Sequence, residues 1–177
     1  MGVKEFNHQY NKIPYYHFIY EGEFFNELKA KNMVLVDGTR INSLFNQKTF
    51  EQYDFTQPFV RFKKAAMFFI HYFSDQIVRD LDNYIYKPVI DSIRKTGIFF
   101  DDNWQHLSLF LMGDHAAKEK IEVFLVPHNA AAVFMSTCLE SRFQEELVSS
   151  DIVYNQNNMI QIDEKYANKR NDEGSFW

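Results

Sequence analysis

Asp80, Asp82, Asp101 and Asp102 are the residues of this chain whose type and spacing best suit chemistry. Asp80 and Asp82 stand two apart, and in an extended segment that spacing projects both carboxylates to one face, a few ångströms from each other. Two like charges held so close raise one another's pKa and cost stability unless a cation lies between them. Asp101 and Asp102 arrive after one helix and one short strand, the length of connection that returns a chain beside the strand it left. Three carboxylates converging in this way offer hard oxygen ligands suited to Mg²⁺ or Mn²⁺, ions that retain waters and accept phosphate oxygens as further ligands. Phosphodiester hydrolysis is the chemistry of such a site: the metal aligns the phosphate, activates a water and neutralises charge in the transition state.

The elements that must position these groups are read from periodicity and breakers. Ala65 to Phe73 (AAMFFIHYF) is a continuous apolar run of strand length and predicts a central strand. From Lys87 to Lys95, Val89, Ile90 and Ile93 recur at helical spacing, with Pro88 in the first turn and Gly97 as the C-terminal cap. Ile98 to Phe100 leads into the Asp pair as a short strand. Leu107 to Met112 and Ile121 to Val126 predict two further strands, the second ended by Pro127. Asn129 caps a helix running to about Val148, with Met135, Leu139, Phe143 and Leu147 on one face. Upstream, Tyr15 to Tyr20 is a β-rich run, Phe24 to Lys31 one short helix, and Met33 to Val36, Asp37-Gly38 and Thr39 to Asn42 a hairpin. The fold class expected is mixed α/β (α+β), as a single domain over 1–148. Residues 149–177, polar with isolated apolar positions, form a tail that wraps the surface or stays mobile.

The chain has 177 residues, 46% hydrophobic and 18% aromatic, enough apolar surface for one core and incompatible with global disorder. Its net charge of -5 argues against a nucleic-acid partner, but the excess acid sits at the C-terminal end, where residues 140–177 carry four basic against eight acidic side chains. Carboxylates that hold metal ions would leave the middle of the chain presenting a positive field. A lone cysteine, Cys138, excludes an internal disulfide, and no Cys/His cluster has zinc-ligand spacing. The N-terminus lacks the apolar core of a signal peptide and no apolar run approaches the ~20 residues that span a bilayer, so a soluble, cytoplasmic protein with no membrane partner is expected.

The ordered run Arg79-Asp80-Leu81-Asp82-Asn83, Lys87-Pro88, Asp91-Ser92-Ile93, Gly97 and Asp101-Asp102 resembles the RusA-type Holliday-junction resolvases. The resemblance covers about residues 65 to 126; the Pro-Pro-Ser-like opening common in that family is absent. It implies a RusA-like mixed β-sheet flanked by helices, with the motif-bearing core at about 60–126 and an added C-terminal helix. It further implies a homodimer that cuts branched DNA, most often four-way Holliday junctions, in recombination and repair. The metal implied is Mg²⁺ or Mn²⁺. By the same resemblance Asp80, Asp82 and Asp102 are metal ligands and Lys87 is catalytic with them; Arg79 and Asp101 are weaker candidates for substrate contact. In the family the lysine follows the second Asp of the Asp-Leu-Asp run by four residues; here Asp82 to Lys87 spans five, with Tyr86 as the extra. A shift of one residue on a regular helix turns a side chain by about 100°. Either an irregular turn ahead of Pro88 absorbs it or the lysine has lost its role.

Plainer readings stand beside these. Asp80 and Asp82 also suit turn or N-cap positions, and Asp101 competes with Asp102 as the ligand. Asp91 reads as a solvated or capping helix residue, and Arg79 as a phosphate contact or a counter-charge. Trp104 suits core or dimer packing above DNA stacking; His71 reads as a satisfied core residue, His106 stands near Asp102, and Met135 and Cys138 read as packing. The rival to a nuclease is a catalytically inactive protein of the same fold that binds structured nucleic acid, or another partner, without cutting it.

Overall fold

Strand β3, Ala65–Phe73, is buried along almost its whole length, as a run with no polar face requires. The computed structural model describes residues 3–140 apart from 10, 23–39, 76, 78, 79 and 85, all within the first of the chain's two units, 1–141. Among these residues the fold is a five-stranded mixed sheet with three α-helices. Its strands are β1 (Lys4–His8), β2 (Asn11–Glu21), β3, β4 (Leu107–His115) and β5 (Lys120–Pro127), in the order β1-β2-β5-β3-β4. β3 runs parallel to β4 from Ala65↔Leu107 to Phe73↔His115 and antiparallel to β5 from Ala65↔Pro127 to Tyr72↔Lys120. The helices are α1 (Ile41–Gln52), α2 (Lys87–Lys95) and α3 (Ala131–Phe134).

Parallel neighbours need a crossover, and α2 is it, so the chain does return beside the strand it left. One face of the sheet, presenting Tyr16, Phe18, Tyr20, Met67, Phe69, Val123 and Leu125, packs on α1 and α2 through Ile41, Phe45, Val89 and Ile93. On the other face Phe134 of α3 meets Phe6, Tyr15, Phe68 and Phe124 at ring-centroid distances of 5.3, 5.3, 5.6 and 5.5 Å. Among the described residues no helix is long and apolar enough to cross a membrane.

Three expectations are corrected. Ile41 and Asn42 open helix α1 and do not end a hairpin; Ile41, Phe45 and Thr49 are buried at spacings of four, a narrow stripe that a polar sequence disguises. The other residues of that hairpin, from Met33 to Thr39, and the helix expected at Phe24–Lys31 lie outside the described residues. Ile98–Phe100 forms no strand, only a single bridge between Phe99 and Phe62. Asn129 caps nothing, since it lies inside a 3₁₀ turn, His128–Ala130, that leads into α3. Beyond α3 a π-turn, Met135–Leu139, widens the spacing of buried residues from four (Ala130, Phe134) to five (Leu139) and leaves Met135 exposed. The remainder of that helix to Val148, and the tail at 149–177, lie outside the described residues.

The sheet is joined to α1 by one polar contact in the core, the Tyr20 hydroxyl against Thr49 Oγ1 at 2.8 Å, both side chains fully buried. Thr49→Val should cost about 1–3 kcal/mol, because it strands the phenol without a partner. Tyr20→Phe with Thr49→Val should recover most of that loss in urea unfolding; a double variant no more stable than Thr49→Val would show that the contact is not what the single substitution breaks.

Candidate functional site

Lys87 is the first residue of α2 and stands at the helix end where the macrodipole disfavours a cation. Two carboxylates offset that. Its Nζ donates to Asp91 Oδ1, one turn on, at 2.7 Å, and to Asp102 Oδ2, fifteen residues on, in the loop ahead of β4. Asp91 is thus a partner of the lysine and not a solvated residue, and its i,i+4 spacing from Lys87 was the signal for it. Arg94 extends the cluster, its Nη1 4.0 Å from Asp101 and its Nε 4.0 Å from Asp91. Asp101 in turn shapes the loop: its Oδ1 accepts the backbone N–H of Asp102 at 2.9 Å and its Oδ2 the amide of Asn103 at 2.8 Å.

The lead-in to α2 is irregular. Asp80 is the N-cap of a 3₁₀ turn, Leu81–Asn83, without a side-chain capping hydrogen bond, and Tyr84 is again extended before Tyr86 caps α2. Tyr86 is buried and its hydroxyl meets His71 Nδ1 at 3.2 Å, while His71 Nε2 meets Glu119 at 3.2 Å, so His71 is a satisfied core residue. A Cβ at Gly113 of β4 would lie 3.3 Å from Leu81 Cδ2, so Leu81 sits close against that strand.

Asp80 and Asp82 are exposed on that turn. Their placement differs from the expected extended segment, because a 3₁₀ turn has about three residues per turn and sends side chains two apart in different directions. Their oxygens are of the kind that suits a hard cation. As placed, however, they do not fit one: among the described residues no three carboxylate, histidine or cysteine side chains are grouped to hold a metal ion, and the ammonium of Lys87 occupies the cation position at Asp102. What the fold brings together is Lys87 with Asp91 and Asp102, and Arg94 with Asp101. Arg79 lies outside the described residues. His106 turns to the Lys63 carbonyl, 3.0 Å from its Nδ1. Trp104 is 81% exposed and so is not a core residue, and Cys138 is half-buried.

No protein-family model matches the chain, and neither does any curated protein sequence.

The hydrogen bond from Lys87, ahead of its burial cost, lowers the Asp102 pKa, while bonds to Asp102 and then Asp91 raise that of Lys87. A depressed carboxylate contributes stability above its unfolded value of about 3.9, lost as pH falls through the folded value; a raised ammonium contributes below about 10.4, lost as pH rises through its own. A Lys87→Met/Asp102→Asn double-mutant cycle should therefore show favourable coupling at neutral pH that fades below about pH 3.9 and above about pH 10.4. With Lys87 57% exposed the coupling should be only about 0.2–1 kcal/mol, and a coupling unchanged at acid pH would contradict the ion pair.

Proposed function

We propose that this chain is a RusA-type endonuclease that acts on branched DNA, four-way junctions above all, in recombination and repair, as a cytoplasmic homodimer. The observation that carries the reading is the meeting of Lys87 and Asp102: two residues of the ordered motif, on separate segments, are brought into contact by a β3–α2–β4 crossover. The contact joins two residues of the motif that lie fifteen positions apart in the sequence. On this reading Lys87, more than half exposed at the surface, offers its ammonium to the scissile phosphate and stabilises charge as the bond breaks. Asp91 and Asp102 hold that ammonium in place, and Asp101 with Arg94 fixes the loop that carries Asp102. A dimer suits the task, since two strands placed symmetrically about a junction call for two sites. Mg²⁺ or Mn²⁺ as cofactor rests on the resemblance and on the donor type of Asp80, Asp82 and Asp102.

One observation favours a second reading, in which the same fold holds branched DNA without cutting it: the carboxylates are not gathered, and Asp102 is already paired.

A labelled synthetic four-way junction separates the two. The nuclease reading expects symmetric nicks in Mg²⁺ and none in EDTA. Asp80→Asn, Asp82→Asn and Asp102→Asn should each abolish cutting while junction binding survives or tightens, because each removes a charge that repels phosphate. Lys87→Ala should slow cutting at least ~100-fold, the scale for losing one stabilising group. A junction that is retarded in a gel yet uncut in Mg²⁺ and in Mn²⁺ gives the holding reading; a junction neither retarded nor cut ends both.

A further inference from the structure

The most basic stretch of the described chain is the segment that leads into β3. Between Asp54 and Asp75 the sequence contains no acidic residue but carries Arg61, Lys63 and Lys64 within four positions. Phe62 among them is buried and its N–H bonds to the Ile98 carbonyl at 2.7 Å, so its neighbours Arg61 and Lys63 are turned outward. All three cations are exposed, and none pairs with a carboxylate of the described residues.

Topology gathers more onto the same place. Ala65 pairs with Leu107 of β4 and with Pro127 of β5, so the start of β3, the start of β4 and the end of β5 share one rim of the sheet. His128 follows Pro127 and donates its N–H to the Lys64 carbonyl at 3.0 Å. With Arg61, Lys63 and Lys64 it lines an open depression of about 420 Å³. The loop ahead of β4 meets the same rim through Phe100, against Arg61, and through His106, against the Lys63 carbonyl, and it carries two exposed rings: Phe100, 51% exposed, and Trp104, 81% exposed. The Arg61 guanidinium lies 3.9 Å from the centre of the Phe100 ring, which fixes a flat cation at the surface with its N–H edges free to face a ligand. Asp101 and Asp102, the acids of that loop, are engaged by Arg94 and Lys87.

Unpaired cations and an uncovered indole on the loop that meets them have one chemistry in common. Cations attract phosphates, and an exposed ring offers a stacking face to any unpaired base; a fully paired duplex buries its base faces and offers only the cations something to hold. We propose that this rim, Arg61, Lys63, Lys64 and His128 with Phe100 and Trp104, binds a single-stranded stretch of nucleic acid, phosphates over the cations and a base on Trp104. The proposal deepens the reading above, since it rests on a nucleic-acid partner and adds an unpaired strand beside the branch.

The test uses the full chain in EDTA and a fluorescein-labelled oligothymidylate of about 20 nucleotides, longer than the ~4–16 that one small single-strand-binding fold covers. Anisotropy should show binding that weakens steeply with salt and is tighter than to a duplex of equal length. Replacing Arg61, Lys63 and Lys64 together by alanine should lower the slope of log affinity against log salt by about 2, from ~0.7 for each phosphate no longer neutralised. Trp104→Ala should weaken binding at least about fivefold and Trp104→Tyr much less, a difference that loss of charge alone does not produce. In a Trp177→Phe background Trp104 is the sole indole, and its fluorescence should be quenched as the strand binds. Lys12→Ala, an exposed lysine at the start of β2, should change nothing, and far-UV circular dichroism should confirm that every variant is folded.

No binding by the parent chain at micromolar concentration in low salt overturns the proposal. So does binding that the triple variant leaves intact, or duplex binding at least as tight with Trp104→Ala silent, which marks a plain cation patch. Neither junction nor divalent cation is present, so failure here leaves the nuclease reading standing, and an uncut junction leaves this proposal untouched.

Discussion

Strand β3 has no polar face, so it is stable only with cover on both sides, and most of the described fold follows from meeting that demand. Its neighbours β4 and β5 satisfy its backbone, α1 and α2 cover Met67 and Phe69, and Phe134 packs on Phe68 opposite. Burial of this kind, at roughly 25 cal/mol per Å² of apolar surface, is the dominant favourable term available to a chain so rich in aromatic residues. Because β4 runs parallel to β3, the link between them must travel back along the sheet, and that return path is α2.

The crossover also decides which charges meet. Lys87 opens α2, Asp102 lies in the loop that follows it, and the geometry of a strand-helix-strand unit brings the two within reach. The lead-in to α2 is irregular, with Leu81 close against Gly113 of β4 and Tyr86 held by His71.

A net charge of -5 describes the chain poorly. Its acids and bases are sorted in space: the carboxylates of the α2 region are matched by Lys87 and Arg94, and Glu122 by His17 and Lys120, whereas Arg61, Lys63 and Lys64 have no acidic counterpart among the described residues.

The sequence by itself determined the elements whose signal is local. Nine apolar residues in a row define β3, Pro88 and Gly97 bracket α2, and the starts of β4 and β5 fall within a residue of where their patterns begin, because strand and helix periodicity are properties of neighbouring positions. It also singled out Lys87 and Asp102. Only the tertiary structure decided the rest. Helix α1 is amphipathic by a three-residue stripe that a β-like reading of Thr39 to Asn42 outweighed, and its helical state is secured by packing on β2 and α2. A turn at Leu81–Asn83, with Leu81 against Gly113 of a strand about thirty residues on, stands where an extended segment would have set Asp80 and Asp82 on one face. Trp104 stands exposed in the loop ahead of β4 instead of in a core. The cationic rim draws on β3, β4 and β5, whose contributing residues lie tens of positions apart, and no local pattern records how three strand ends come together at one edge of a sheet.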